Sequence, residues 1–384
     1  MSPPYVTPLH RWLEKLVTTR LLTWFSPCIW SDPLVDGGSR VRAFLHGSWL
    51  GRKVTDAFWK ILGDDVVSLN RFNAHPETKK LKPWISPFWV ASGLSILNYP
   101  TNFFDLITAP ESRVRIHVDH ITHLAEHGTI HLANSRALTN IDALIVASGW
   151  KPTPDITFRP ASLPSDLGFP TAPDPIPSSV IHAANAEILR RFPRLAKRPI
   201  HSSPKPYAPL AQDAQTETQS LHPFRLTRFL VPVGGKLAAE RSVALMGVAM
   251  TINTPLLAQT QALWIAAFFA GRLSPAATVA ERCPAPLRAV LDKDSKDSGG
   301  RESRDVLWET ALHTQFGVHR YPGGLGRRNP DFVFDAIPYV DVLLRDLGMS
   351  GGRKDGRGWK RWVEAYGVED YVGLVEEWMH SGEK

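Results

Sequence analysis

Between residues 9 and 25 the apolar side chains recur at helical intervals: Leu9, Trp12, Leu13, Leu16 and Val17, then Leu21, Trp24 and Phe25. That spacing predicts one core-facing helix, stopped by Pro27. A second helix is expected over Lys53 to Leu62, with Phe58 and Trp59 on its inner face. From Trp84 to Tyr99 the aromatics alternate with prolines and small residues, which is the pattern of packed loops. At residue 113 the period drops to two. Val114, Ile116 and Val118 share one strand face, and Arg115, His117 and Asp119 share the other. The stretch "EHGTIHLAN" follows, with Gly128 as the turn residue and Ile130 and Leu132 facing inward. Ala143 to Ala147 then carries no polar side chain and reads as a buried strand that ends at Ser148-Gly149.

The second half is less regular. Residues 151 to 240 are rich in proline, serine and polar side chains. They predict a long surface excursion, mobile around Pro204 to Gln219, with one helical island at "AANAEILRRF". The stretch "RSVALMGVAMTINTPLLAQTQALWIAAFFAGRL" reads as a strand, a glycine-containing loop and a long helix. Leu257, Gln261, Trp264, Ile265 and Phe268 lie on one face of that helix, and Gly271 ends it. A charged, solvated loop is expected over "LDKDSKDSGGRESRD". From Asp305 onward short helical pieces alternate with the break "YPGGLGRRNPDF". Four segments result: a helical, aromatic-rich region (1–112), a β-meander with a returning strand (113–150), the proline-rich excursion (151–240), and a strand-and-helix segment with a helical tail (241–384). The fold class is α/β.

Composition narrows the possibilities. With 384 residues, 43% of them hydrophobic, the chain can bury a sizeable core. Thirteen tryptophans and 32 prolines argue against a repeat or a coiled coil. Cys28 and Cys283 match no disulfide or metal spacing, so buried thiols in a reducing compartment are expected. The formal charge of +7 is spread over scattered lysines and arginines without a basic block, which argues against nucleic acid as a partner. Arg11, Lys15 and Arg20 interrupt the apolar run near the start, so no secretory leader is read there. Pro255 to Gly271, near the lower length limit for a span, contains two glutamines and a threonine. A cytoplasmic protein without a membrane span is expected, acting on a small-molecule substrate, its oligomeric state open.

Candidate chemistry is sparse. Five histidines between His117 and His131 suggest a metal site, but strand alternation sends them to opposite faces, so exposed histidines and no metal are expected. Asp331, Asp335, Asp341 and Asp346 read as the wet face of a packed helix. No serine-nucleophile elbow, zinc-protease helix or Walker lysine is present. Two glycines remain, Gly149 and Gly247, each where a buried strand ends. In open α/β sheets ligands lie beyond such ends, and a bare glycine lets the backbone approach them. The helix that begins soon after Gly247 would add its amino-terminal dipole toward a phosphate. A packing or turn glycine is the plainer alternative at either position alone.

"IDALIVASGWKP" resembles the alanine-threonine-glycine-aromatic motif of flavin-containing monooxygenases and related two-dinucleotide flavoproteins. "VALMGVAMTINTPLLAQTQALWIAAFFAGRL" resembles the segment that closes their flavin domain. From "SPPYVTPLHRWLEKLVTTRLLTWFSPCIW" through "LSILNYPTNFF" to "PDFVFDAIPYVDVLLRDLGM" and "EDYVGLVEEW", the chain is similar to the carboxyl-terminal part of fungal FAD-dependent monooxygenases, many encoded with secondary-metabolite pathways. The resemblance implies an incomplete two-dinucleotide-binding fold. It also implies FAD and NADPH as cofactors, and oxygen insertion into a small organic intermediate. Ser148, Gly149, Gly247 and Asn253 are the implied flavin contacts, Gln261 is structural, and no catalytic acid or base is named, because the cofactor carries the chemistry. Ser148 stands where the family has threonine. The family's two Gly-x-Gly-x-x-Gly turns, for FAD and for NADPH, are not found here, so an amino-terminal truncation is expected. A non-catalytic remnant or interaction module is the alternative.

Overall fold

The computed structural model describes residues 5–30, 39–82, 103–147, 156–196, 222–249, 251, 253–294, 300–321 and 334–381. The chain is a mixed α/β protein, mainly helical, with three small antiparallel sheets. Among the described residues no helix is long and apolar enough to cross a membrane.

The amino-terminal stretch is not one helix. Strands β1 (Tyr5–Val6) and β2 (Arg11–Trp12) pair antiparallel, one short turn follows, and helix α1 covers only Arg20–Phe25. The break is local chemistry. The hydroxyls of Thr18 and Thr19 donate to the carbonyls of Lys15 and Leu16 at 3.2 and 2.8 Å, which turns the chain where the apolar spacing would have carried on. The side chains still reach a core, where Leu16, Val17 and Leu22 pack with Leu62, Val66 and Phe334.

Helix α2 (Trp49–Leu69) overruns its expected limits at both ends. Ser48 caps it, its hydroxyl accepting from the Gly51 amide at 2.9 Å. Phe58 stacks on Phe25 with centroids 4.0 Å apart, and the Trp59 indole donates to the Phe25 carbonyl, so both face inward as expected.

The meander is smaller than its pattern suggests. Strands β3 (Ile121–Ala125), β4 (Thr129–Leu132) and β5 (Ala137–Leu138) pair in that order, with His127 and Gly128 at φ +56° and +64° in the first turn. Ile130 and Leu132 are buried. Val114, Ile116 and Val118 form no strand, since pairing starts at Ile121. Ala143 to Ala147 is also a correction. It is neither paired nor buried, with Leu144, Ile145 and Val146 exposed by 45, 89 and 73%. A hydrogen bond from the Ile141 amide to the Gly128 carbonyl (2.9 Å) fixes its start, and nothing in the described chain covers its apolar side chains.

The main core is built by four helices: α3 (Ser178–Arg191), α4 (Thr254–Phe269), α5 (Arg301–Arg320) and α6 (Ala336–Asp346). Helix α3 packs along α5, and α4 packs on α6. Val180, Ala184 and Ile188 of α3 are fully buried, as are Leu226, Leu230 and Val231 of a short hairpin, β6 (Leu226–Thr227) and β7 (Val231–Pro232). Part of the stretch read as a surface excursion therefore supplies core, while Pro204 to Gln219 lie outside the described residues. Helix α5 also exceeds its reading as a charged loop followed by short pieces, because its polar side chains are paired inside. Gly271 ends α4 as expected, at φ +72°.

The two ends of the chain are clasped together. The Arg20 guanidinium, 1% exposed, forks onto both carboxylate oxygens of Asp341 at 2.6 and 3.0 Å and donates to the Gly351 carbonyl and the Tyr366 hydroxyl. The Tyr366 amide donates to the Thr18 carbonyl, and Trp24 meets Trp362 at 5.4 Å.

Candidate functional site

The stretch before α4 is where the described residues concentrate the sequence-derived candidates. Its chain runs beside the β6–β7 hairpin, with the Leu245 amide donating to the Leu230 carbonyl at 2.7 Å. Gly247 then takes φ +82°, a backbone that only glycine adopts freely. A Cβ placed there would meet nothing within 4 Å. The glycine thus answers to backbone shape and leaves open space above it, instead of yielding to a packed neighbour. Val248 and Ala249 turn back into the core.

Asn253 is the N-cap residue of α4, but its side chain caps nothing; Thr251 does the local bonding instead. Its hydroxyl accepts from the Asn253 amide at 3.3 Å and its carbonyl accepts from the Thr254 hydroxyl at 2.9 Å. Among the described residues no hydrogen bond engages the Asn253 side chain, which stands at the start of a 16-residue helix whose first turn carries the positive end of the dipole. Asn253 therefore lies at the helix start, and Gly247 on the lead-in to it. Ser148 and Gly149 lie outside the described residues. Gln261, 2% exposed, donates to the Tyr339 hydroxyl at 3.3 Å, in keeping with its structural assignment.

Against the later turns of α4, at Trp264, sits an ionic knot that the sequence reading missed. Arg228 is 2% exposed and bonds both oxygens of Asp346, at 2.7 and 3.2 Å, as well as Glu309 and the Thr278 carbonyl. The Trp264 indole of α4 donates to Asp346 at 3.0 Å, and the Tyr339 hydroxyl donates to the Arg228 carbonyl. Glu309 also accepts from the Ala280 and Glu281 amides at 2.9 and 3.1 Å. The knot ties α4, α5 and α6 to the β6–β7 turn, where Arg228 and Phe229 both hold positive φ. Burial works against the Glu309 charge, yet Arg228 and those amides carry its pKa down to about 2. Burial alone pushes Asp346 up, and it lowers His313, one turn after Glu309 on α5, to about 3.

Three aspartates read as a wet helix face are corrected here. Asp341 pairs with Arg20, Asp346 with Arg228, and Asp335 accepts from the Tyr321 hydroxyl at 2.6 Å. Each is buried because a cation or donor from another element reaches it, which spacing along one helix does not reveal. Asp331 lies outside the described residues. The signal available was Arg225 and Arg228, two cations in the otherwise apolar "FRLTRFLVPV"; both are buried and paired, Arg225 with Asp174.

The five meander histidines stay on the hairpin and its approach, where His123 and His131 stack across the strands at 4.2 Å. Among the described residues no three His, Cys, Asp or Glu side chains are grouped to hold a metal. Two open clefts of about 610 and 650 Å³ flank the Gly234-Gly235 turn, and neither is lined by Gly247 or Asn253.

Curated proteins of one kind match this chain. FAD-dependent monooxygenase avaB of Aspergillus versicolor is 28% identical over 95% of it, and resA of Aspergillus sclerotiorum is 27% identical over 98%. The enzyme rstn6 of Aspergillus nomiae is 26% identical over 99%. The chain resembles fungal FAD-dependent monooxygenases throughout. It spans 52, 60 and 60% of the length of these three relatives. No family model and no solved structure matches it.

Proposed function

We propose that this chain forms part of an FAD- and NADPH-dependent monooxygenase acting on a small organic intermediate of a fungal secondary-metabolite pathway. The observation that carries the reading is Gly247, at positive φ with open space at its Cβ position, on the lead-in to α4. Such a turn fits the edge of a flavin dinucleotide. Gly247 lets the group approach the backbone, Asn253 offers an amide side chain, and the helix dipole favours a negative oxygen. Ser148 and Gly149 would add a second wall at the end of the meander segment. When bound, the flavin would supply the redox and oxygen chemistry. The residues named here would hold and orient it, and the knot at Trp264 keeps α4 in place.

The same reading gives the exposed run of Leu144, Ile145 and Val146 a partner: an adjoining nucleotide-binding sheet, supplied by the part of the relatives that this chain does not span. The pyrophosphate turns for FAD and NADPH would come from there too. Calorimetric titration of this chain alone should show no NADPH binding and weak or no FAD binding. Micromolar FAD affinity would overturn the division of the site. In a chain extended upstream to the relatives' length, Gly247→Asn tests the contact itself, because asparagine tolerates positive φ and places a side chain in the open space. The folded variant should lose flavin relative to protein. An unchanged ratio would remove Gly247 from the cofactor site.

A further inference from the structure

A ridge of apolar side chains stands on the outer face of α2. Leu50, Val54 and Ile61 follow one another by four and seven positions and are 55, 43 and 58% exposed. On a helix these spacings line up along one stripe. The face opposite is spent on the core, through Thr55, Leu62, Gly63 and Val66. Trp49, 69% exposed, heads the neighbouring row that Lys53 and Lys60 continue, and Phe44, 45% exposed, stands just ahead of the helix.

That end is rigidly built. Phe44 lies in a π-helical turn (Ala43–Gly47) whose backbone touches the first turn of α2. A Cβ on Gly51 would fall 2.0 Å from the Phe44 carbonyl oxygen, so only glycine permits the approach. The Ser48 hydroxyl donates to that same carbonyl at 2.7 Å. Phe44 is thereby held against the first turn of the helix and is not a loose loop residue.

Charge decides what the ridge fits. Lys53 and Lys60, seven residues apart, flank it on one shoulder, and Arg40 is exposed just ahead of it. The acids nearby are largely spoken for. Asp56 binds Arg194 at 2.7 Å and Asp64 pairs with Lys60 at the far end, so among the described residues Lys53 and Arg40 carry the shoulder's positive charge, against Asp65, which accepts from the Thr7 amide at 2.9 Å. A second copy of this helix laid antiparallel would bring the two lysine rows together. A stable protein interface also engages roughly 20–30 residues a side, well beyond this stripe. A lipid surface demands no shape complement. Apolar side chains enter the acyl boundary, aromatic rings sit at headgroup depth, and lysines reach up to anionic headgroups.

We propose that the α2 ridge is a peripheral docking surface for an anionic lipid bilayer. The assignment stands apart from the flavin reading, since it uses none of the same residues. The test is flotation of the purified chain with vesicles of phosphatidylcholine alone or containing about 30 mol% phosphatidylserine. Capture by the anionic vesicles is expected, falling several-fold when salt shortens the screening length to about 3 Å. The variant Trp49→Ser/Leu50→Ser/Ile61→Ser should lower capture about tenfold or more. All three side chains point outward, so its thermal midpoint should hold, and Lys53→Glu/Lys60→Glu should weaken capture with the ridge intact. Equal capture of wild type and both variants overturns the proposal. A dimer in sedimentation velocity that the ridge variant abolishes would reassign the surface to self-association. Loss of vesicle capture in a chain extended upstream to the relatives' length would instead assign it to an internal interface.

Discussion

Replacing Arg228 by methionine should destabilise the fold heavily, and the structure sets the scale. The side chain is nearly inaccessible and serves two carboxylates, Glu309 at 3% side-chain exposure and Asp346 at 0%. Taking the cation away leaves both acids in a dry site. Breaking a buried ion pair by removing one partner costs about 3–5 kcal/mol. Two carboxylates do not double that figure. Asp346 is already pushed up by burial and takes a proton once the guanidinium is gone, while Glu309 keeps the Ala280 and Glu281 amides. A loss of about 3–5 kcal/mol is therefore expected for Arg228→Met, a large part of the roughly 5–15 kcal/mol that holds a domain together. Urea unfolding followed by circular dichroism measures it. The companion is Arg228→Met/Glu309→Gln/Asp346→Asn, which removes the charges together and should recover most of the loss. Should the single variant not fold, Glu309→Gln against the triple gives the same comparison. A loss under about 1 kcal/mol for Arg228→Met, or a triple variant no better than the single, would refute the reasoning.

Acid should weaken the fold well above the carboxylate range. His46 and His313 are buried with folded pKa values near 4 and 3, against an ordinary value of 6.5, because burial disfavours their charged forms. The unfolded chain takes up protons first, so their stabilising effect is complete above pH 6.5 and fades as pH falls toward 4 and 3. About 2 kcal/mol is lost per histidine by pH 5, readable as a falling thermal midpoint. Glu309, folded near 2, adds a further loss between its ordinary 4.5 and 2. A midpoint flat from pH 7 to 5 contradicts the burial of both rings. Ile145→Asp should change the stability of this chain by less than about 0.5 kcal/mol, as the residue is 89% exposed, and a larger loss would mean that it packs against something. Elemental analysis of the isolated chain should find no stoichiometric transition metal; about one zinc per chain, lost in His123→Ala/His131→Ala, would reverse that.

What the sequence made legible was the periodic and the terminated. Helix α4 was readable because an apolar run meets Gly271. The Gly128 hairpin was readable because a turn glycine separates residues that alternate, and Ile130 and Leu132 are inside as their spacing requires. The misses share one cause, namely partners distant along the chain. Asp341 and Asp346 look wet in "PYVDVLLRD" until Arg20 and Arg228 arrive from 321 and 118 residues away. The same holds for Asp305, which accepts from the Cys283 amide and is fully buried. Ala143 to Ala147 failed in the opposite direction. Its apolar run states a need for cover, and a run alone does not say whether the cover is in the same chain. At the candidate site Gly247 and Asn253 were found because glycine and helix starts have local signatures. The knot against the later turns of α4 has none.

The clasp between Arg20 and Asp341 has a consequence for how the protein is made. The residues it joins are 321 apart, so during synthesis at about 5–20 residues per second Arg20 leaves the ribosome roughly 16 to 64 seconds before its counter-ion exists. Through that interval Leu16, Val17 and Leu22 have emerged without Phe334, their partner from the other end of the chain. The segment around Arg20 cannot finish folding before those partners are made. It has to be kept from aggregating until Phe334 and Asp341 have been made, and a cell short of chaperone holdases should lose this chain as aggregate even when its finished form is stable.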